Sequence, residues 1–443
     1  MTLAPVRQLS AASLRQTLKR DGVSGLVISN LGARIGALVA VALATVLVAR
    51  TAGPVWVGAL ALLRVLPPLA GFLGTGGLPL ASPYFLAGKH TSDRNLRPTL
   101  VALTAAGSLL GALGWLAITP LIAHPLLPEM GIGLVAFAAV LVLSQMGVSS
   151  FKAFCQGDKD LPGSNLIILL EEATFLPFFG LLWAAGLSNG LLIVLSLLGS
   201  RLCTAAFGGV RLWRRGFFSN RGHVDFALAR TIWRFAIRGQ VGNVMLLVNL
   251  RLDFAVVDVV AGPAALGIYA VASKYAELLR QPSDAVLWVA YPHFARGSGE
   301  APVAAARATM RRAGLFVAAA AIPLALLSIF VIPLMNGPAF AGAVLPACIL
   351  LVGLAGEGVA AVAIAYLYGH GMPGLASTGV GIGVVVTVIL DVLLIPRMGV
   401  VGAAIASTAA YLTSTVACVS FFAMQSRPVS LALHRAVPQE RPA

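Results

Sequence analysis

The sequence contains twelve stretches of about 20 or more predominantly apolar residues, separated by short connectors that carry turn residues. A stretch of about 20 apolar residues is long enough to cross the hydrocarbon core of a bilayer as a helix. The alternation of polar and apolar residues that a membrane strand needs is absent from these stretches. We therefore predict an all-α, multi-pass membrane protein with spans at residues 24–49, 54–87, 98–123, 130–153, 163–185, 189–210, 236–260, 264–294, 308–334, 342–368, 373–395 and 399–424.

The charged residues predict how these spans are oriented. Only 11% of the chain is charged, yet its net charge is +15, and most Lys and Arg fall in the termini and the even-numbered loops. Positively charged loops remain in the cytoplasm, so both termini are predicted to be cytoplasmic. Contact with anionic lipid headgroups explains the positive charge, and no nucleic-acid partner is expected.

The chain also repeats itself with a shift of 209 residues. The Gly-Pro-x-x-x-Gly segment 53–58 aligns with 262–267, and 10 of the 36 positions in 53–88 are identical in the second copy. About four identities would be expected by chance, so this excess predicts that the two halves are tandem copies of one unit. Six spans in each copy make the copies parallel, related by a pseudo-two-fold axis along the membrane normal. The predicted domains are a lobe at 1–210, a basic cytoplasmic linker at 211–235, a second lobe at 236–424 and a cytoplasmic tail at 425–443.

Several charged and polar residues fall inside the predicted spans, where lipid would not tolerate them. Proteins built from two such copies move a substrate at the seam between them, so these residues are expected to line a central cleft. The predicted substrate-binding cations are Arg34, Arg64, Lys274, Arg251 and Arg280. The other polar residues predicted for the cleft are Asn30, Asn249 and Gln281. The candidates for ion coupling are Asp253, Glu277 and Asp284.

A structural explanation of these charges stays open beside the functional one. Lys274 with Glu277, and Arg280 with Asp284, are spaced to pair along one helix and to hold the bundle together. Two other charges lie near span ends and are predicted to extend to the membrane interface: Arg201 and Asp258.

Other classes of function find little support in the sequence. The four cysteines show neither a disulfide framework nor a metal-ligand spacing, and a phosphate-binding loop of the ATPase type is absent. No cofactor is therefore expected. The outer loops are short, which disfavours a membrane-embedded glycan polymerase or transferase, and we predict that the chain is not an enzyme.

Three segments resemble one family of membrane proteins. They are Leu-Val-Ala-Arg-Thr-Ala-Gly-Pro at 47–54, Gly-x-Tyr-x-x-Ala at 267–272, and Leu-Ile-Pro-Arg-x-Gly-x-x-Gly-Ala-Ala-Ile-Ala at 394–406. These segments are similar to bacterial polysaccharide or oligosaccharide flippases, the O-antigen-type members of the multidrug/oligosaccharidyl-lipid/polysaccharide exporter superfamily. The similarity spreads over nearly the whole chain. At Asp391 the chain departs from the amide usual in the family, which adds a fourth candidate for ion coupling.

The resemblance implies a MATE-like fold of two six-helix lobes that rock in alternating access. It further implies a flippase in the bacterial inner membrane, which moves a polyprenyl-diphosphate-linked oligosaccharide for O-antigen or lipopolysaccharide synthesis. The implied partners are membrane lipids, a coupling proton or sodium ion, and the glycan polymerase and glycosyltransferases of the same process. The forked guanidinium group of arginine suits a diphosphate, and Tyr269 is predicted in the cleft, either stacked on a sugar ring or in ordinary packing. An ion-coupled multidrug antiporter of the same superfamily is the alternative.

Overall fold

The computed structural model describes residues 23–87, 93–219, 222–280, 300–370 and 372–426, apart from the side chains of 23–28, 31, 87, 238–252, 300–302, 369 and 373. Every regular element in these ranges is helical, so the prediction of an all-α membrane protein is confirmed. The α-helices are α1 (Val23–Ala52), α2 (Pro54–Leu63), α3 (Leu66–Thr75), α4 (Leu78–Ala87), α5 (Leu96–Leu126), α6 (Ile132–Phe137), α7 (Ala139–Gly157), α8 (Leu161–Ala173), α9 (Phe175–Ala184), α10 (Asn189–Arg214), α11 (Phe226–Ala261), α12 (Pro263–Ala276), α13 (Glu300–Asn336), α14 (Val344–Gly369) and α15 (Pro373–Gln425).

Nine helical segments within the described ranges are long and apolar enough to cross a membrane. One of them, Gly374–Gln425, is 52 residues long and covers the eleventh and twelfth predicted spans. The chain turns inside it at Gly399, whose φ of 55° lies in the left-handed region that favours glycine. The seventh predicted span lies within α11. The eighth begins in α12 and continues into residues outside the described ranges.

Two of the spans are broken in the middle. The chain leaves the helix between α2 and α3, where Pro67 and Pro68 follow the break and cannot donate the hydrogen bonds that would continue it. A second break separates α8 from α9 at Thr174, three residues before Pro177. Such breaks at membrane depth are tolerated where the protein itself satisfies the freed backbone groups.

The described residues group into two compact units. The first contains the described residues up to Thr45 and those from Leu63 to Val241. The second contains Val46–Leu62 and the described residues from Gly242 onward. The domain limits predicted from the sequence, at 210, 235 and 424, stay predictions.

The core of the first unit combines apolar side chains with close helix crossings. One buried cluster joins α4, α5, α7 and α10 to the start of α11, through residues such as Phe85, Phe154 and Ile232. Helices α3 and α5 approach closely because Gly107 and Gly111 leave space for the backbone of α3. Small residues four positions apart allow this kind of contact between membrane helices.

In the second unit, the two copies of the repeated segment contact each other. A Cβ placed on Gly58 would lie 2.5 Å from the carbonyl oxygen of Pro263, and one placed on Gly267 would overlap the carbonyl oxygen of Pro54. The contact is therefore reciprocal: each copy places its glycine against the proline of the other copy. Only glycine allows α2 and α12 to cross this closely.

The end of α1 also packs within the second unit. The guanidinium group of Arg50 donates hydrogen bonds to the carbonyl oxygens of Leu334 and Met335, the former through Nη2 and the latter through Nε at 2.8 Å. These carbonyls lie in the last turn of α13, where no following turn of the helix supplies backbone NH groups to them. A cation at a helix C-terminus is also favoured by the helix dipole.

Candidate functional site

The break between α8 and α9 creates a polar interior in the first unit. The hydroxyl of Ser200 donates to the backbone oxygen of Glu171 at 2.9 Å, and that of Thr174 donates to the backbone oxygen of Leu170 at 2.7 Å. These bonds satisfy carbonyls near the break and hold the end of α8 in place. The side chains of Glu171 and Glu172 are thereby fixed among helices that carry cations.

Six polar side chains meet there, and we call them the Arg64 cluster: Arg64, Gln145, Lys152, Glu171, Glu172 and Arg201. Gln145 is its central link, because its amide donates to Glu171 at 2.8 Å and its oxygen accepts from Nε of Arg201 at 2.5 Å. Lys152 approaches the other oxygen of Glu171 at 3.5 Å. The cluster holds three cations and two carboxylates, so one positive charge is in excess.

Arg64 is the least satisfied cation of the cluster. Its Nη2 lies 3.2 Å from Glu172, but this contact lacks hydrogen-bond geometry, and neither Nε nor Nη2 makes a hydrogen bond within the described residues. The guanidinium group lies over the ring of Phe175, 5.4 Å from its centre. Its side chain is only 15% exposed. Arg64 is thus held by its charge interaction with Glu172 and by stacking on Phe175, while its Nε and Nη2 donors make no hydrogen bond to any described residue.

Arg34 is positioned by a chain of amides. Its Nε donates to Asn30 at 2.9 Å, and Asn30 donates to Asn165 at 2.6 Å. Arg34 itself is exposed and pairs with no carboxylate among the described residues. The two predicted cations of the first unit therefore both retain capacity to bind an anion.

Two of the three predicted cations of the second unit, Lys274 and Arg280, are paired with carboxylates. Arg280 makes a forked interaction with Glu357, at 2.9 and 2.7 Å, and lies over the ring of Tyr411. Lys274 donates to Glu277 at 2.7 Å, which is the pairing that the structural explanation predicted. The helix tightens into a 3₁₀ turn at Glu277–Leu279, just before the described range ends.

A second polar group, the Asp253 cluster, lies in the interior of the second unit and comprises Asp253, Tyr269, Asp391 and Ser407. Tyr269 donates to Asp253 at 2.5 Å, Ser407 approaches the same oxygen at 3.2 Å, and the backbone NH of Phe254 donates to the other oxygen at 2.9 Å. Asp391 is fully buried within electrostatic range of Asp253. Neither oxygen of Asp391 accepts a hydrogen bond from any described residue.

Four of the predicted site residues have side chains outside the described part of the structure. The side chains of Asn249 and Arg251 lie outside those described, and Gln281 and Asp284 lie outside the described residues altogether. Tyr269 is described: its side chain is completely buried, and its hydroxyl donates a hydrogen bond to Asp253. The roles of all these residues stay predictions.

Two predictions about charges near span ends are wrong. Arg201 and Asp258 do not extend outward: they are 7% and 3% exposed. Gln145 holds Arg201 inside the first unit, because a polar partner one helix away satisfies its guanidinium group. The carboxylate of Asp258 makes no hydrogen bond to any described residue.

Four polar members of these sites were not predicted from the sequence: Gln145, Lys152, Glu357 and Ser407. Gln145 and Lys152 were not singled out, although both lie within or beside an apolar span. Glu357 is the only charged residue in the predicted span 342–368, and a lone carboxylate in such a span is a recognisable signal.

Comparison with known proteins identifies the family. The family described as "Polysaccharide biosynthesis protein" matches residues 47–344, about two thirds of the chain. A search of curated protein sequences found no significant match.

Solved structures share the fold. The lipid II flippase MurJ in an inward closed conformation is 15% identical, with a TM-score of 0.69 over 91% of this chain and 88% of that one. An inward-facing multidrug resistance MATE family transporter of the MOP superfamily is 16% identical, with a TM-score of 0.64 over 93% and 96%. A MOP superfamily transporter from Pyrococcus furiosus is 14% identical, with a TM-score of 0.53 over 90% and 96%. At such low identity these matches show the fold alone.

The structural matches confirm the predicted MATE-like fold, and the family match confirms the predicted resemblance to polysaccharide exporters of this superfamily. Together with its long apolar helices, this fold makes the chain a multi-pass membrane protein. The chain belongs to the polysaccharide biosynthesis protein family.

Proposed function

We propose that this protein flips a polyprenyl-diphosphate-linked oligosaccharide across a membrane by alternating access. The observation that carries the proposal is Arg64, a guanidinium group at membrane depth whose Nε and Nη2 make no hydrogen bond within the described residues. A buried cation is costly unless it is paired and hydrogen-bonded, so its retention indicates an anionic ligand. A diphosphate offers several oxygens to the arginine fork.

The two units contribute differently to this binding. In the first unit Arg34 and Arg64 retain hydrogen-bond donors without a partner among the described residues. In the second unit Arg280 makes a forked pair with Glu357, which neutralises its charge. We therefore assign recognition of the diphosphate mainly to the first unit. The lipid tail stays in the bilayer while the sugars cross.

The proposed location follows from the loop charges. Both termini face the cytoplasm of a bacterial cell, and the protein lies in the inner membrane, where polysaccharides such as O-antigen are assembled on lipid carriers. Flipping supplies the outer leaflet with the lipid-linked glycan. The enzymes that build it and polymerise it are the proposed partners.

A flipping assay tests the proposal directly. The purified protein is placed in liposomes that contain a polyprenyl-diphosphate disaccharide, and a lectin added outside measures how much sugar is accessible. We expect the accessible fraction to rise from the outer-leaflet share to nearly the whole pool, and protein-free liposomes to show no rise. An unchanged fraction together with uptake of ethidium would instead indicate a multidrug antiporter.

The alternatives have less support. A multidrug antiporter with cationic substrates would favour acids at the site, but the Arg64 cluster carries an excess positive charge. An enzymatic role as a glycan polymerase or transferase would require a catalytic group acting on sugar, and the structural relatives are transporters and flippases.

The Asp253 cluster is the proposed site of ion coupling. Asp391 accepts no hydrogen bond from any described residue, and a second carboxylate lies near it, so a bound proton or cation would lower the cost of burying its charge. Carboxylate and hydroxyl oxygens suit a sodium ion or a proton equally. We expect Asp391→Asn and Asp253→Asn each to abolish the stimulation of flipping by a sodium or pH gradient, measured with the same lectin assay.

Asp258→Asn is the matched control for this prediction. It removes the charge of a buried carboxylate that accepts no hydrogen bond from any described residue and lies on the same helix as Asp253. We expect this variant to keep its response to the gradient. Stimulation that persists in both Asp391→Asn and Asp253→Asn would make the cluster a structural one.

A further inference from the structure

A cavity of about 480 Å³ opens at the end of α10 in the first unit. It is lined by six residues, which we call the α10 pocket: Ala206, Phe207, Val210, Arg211, Arg214 and Arg215. The apolar members come first along the helix, and the arginines follow at its end, three to four residues apart on one face. One end of the pocket is thus apolar and the other is cationic.

The arginines of the pocket are only partly neutralised by their acidic neighbours. Arg211 makes a forked hydrogen bond to Asp160, at 2.5 and 2.8 Å, which holds the pKa of that carboxyl below its usual range. Asp158 lies 2.9 Å from Arg97 and 3.5 Å from Arg215. Arg214 is exposed and has no carboxylate partner among the described residues. The three pocket arginines and the neighbouring Arg97 together face two aspartates, which leaves two positive charges in excess.

An exposed tryptophan indicates the depth of the pocket in the membrane. Trp213 is 68% exposed and lies one residue before Arg214 on the same helix. Tryptophan is enriched at membrane–water interfaces, where its ring lies at the level of the headgroups. The arginines at the end of α10 therefore lie at headgroup level, and the apolar wall at Phe207 and Val210 lies at the level of the acyl chains.

We infer that the α10 pocket binds an anionic phospholipid of the leaflet that it faces. The phosphodiester contacts Arg214 and Arg215, and an acyl chain lies along Phe207 and Val210. A soluble phosphate would use the same arginines but would leave the apolar wall without a function. Basic pockets beside membrane helices are suited to anionic lipids, because a headgroup charge and an apolar chain are satisfied together.

The site links three parts of the first unit. Arg97, which shares Asp158 with Arg215, also lies over the ring of Phe217, 4.9 Å from its centre. Phe217 in turn stacks on Phe154 at the end of α7. A bound lipid would therefore brace the ends of α5, α7 and α10 against each other, independently of the substrate that the protein moves.

The test compares lipid retention among charge-matched variants. The full-length protein is purified with cardiolipin or with neutral phosphatidylcholine, and native mass spectrometry counts the lipids that remain bound. We expect the wild-type protein to retain cardiolipin selectively. Arg214→Gln with Arg215→Gln should weaken retention by about fivefold for each arginine, so roughly 25-fold in total.

Three further measurements test whether the pocket itself binds the lipid and whether a lipid, rather than free phosphate, is its ligand. The control Arg311→Gln with Arg312→Gln removes the same charge from exposed positions on α13 and should retain cardiolipin normally. Val210→Gln, in the apolar wall, should weaken cardiolipin retention as well. Inorganic phosphate should neither displace the lipid nor raise the thermal stability. Equal loss in the control, normal retention in both pocket variants, or stabilisation by phosphate alone would overturn the inference.

Discussion

Replacing Gly267 by alanine is expected to lower the free energy of unfolding by about 3 kcal/mol and to abolish glycan export. The new Cβ would overlap the carbonyl oxygen of Pro54, a backbone atom that cannot rotate away. Helices α2 and α12 would have to separate, and the reciprocal contact between Gly58 and Pro263 would open with them. Thermal denaturation of the purified protein measures the loss of stability, and cell-surface glycan measures export.

Gly114→Ala is the matched control. Gly114 lies within α5, and a Cβ there would meet no atom within 4 Å. Because alanine favours the helical conformation more than glycine does, this variant should be as stable as the wild-type protein or slightly more stable. If Gly267→Ala and Gly114→Ala melt at the same temperature, the crossing of α2 and α12 is not as close as the structure indicates.

The repeat illustrates what sequence could and could not predict. A shift of 209 residues revealed two copies of a helical unit, and long apolar stretches predicted their helices, both from local patterns. That Gly58 and Gly267 face each other's prolines could not be predicted, because contacts between distant segments depend on how whole helices pack. The break at Pro67 was predictable, since proline acts on its own helix.

The candidate site shows the same division. Charges inside spans could be recognised one by one, and the pair of Lys274 and Glu277 followed from helical spacing. The partner of Arg280 is Glu357, which is 77 residues away, and no spacing rule connects two such positions. Arg201 was misjudged for the same reason, because Gln145 lies 56 residues before it.

Arg64→Ala is expected to reduce glycan export roughly 100-fold while the protein level in the membrane stays near normal. The loss corresponds to a forked, charge-assisted interaction with the diphosphate, worth about 3 kcal/mol. Arg64→Lys should recover only part of the activity, because a point charge cannot reproduce the fork. Arg397→Ala is the control, since among the described residues this exposed arginine donates only to Leu393 of its own helix, and export should be unchanged.

A double variant separates substrate binding by Arg64 from a structural ion pair with Glu172. Buried ion pairs that serve only stability can often be replaced by apolar residues without loss of stability. If Arg64 and Glu172 form such a pair, the double variant Arg64→Met with Glu172→Leu should be as stable as the wild-type protein and should export glycan. If Arg64 binds the diphosphate, the double variant should be stable yet inactive. Glu172→Gln alone should bind a diphosphate lipid more tightly and release it more slowly, because the carboxylate that competes for Arg64 at 3.2 Å has lost its charge. Recovered export in the double variant would contradict the proposed binding site.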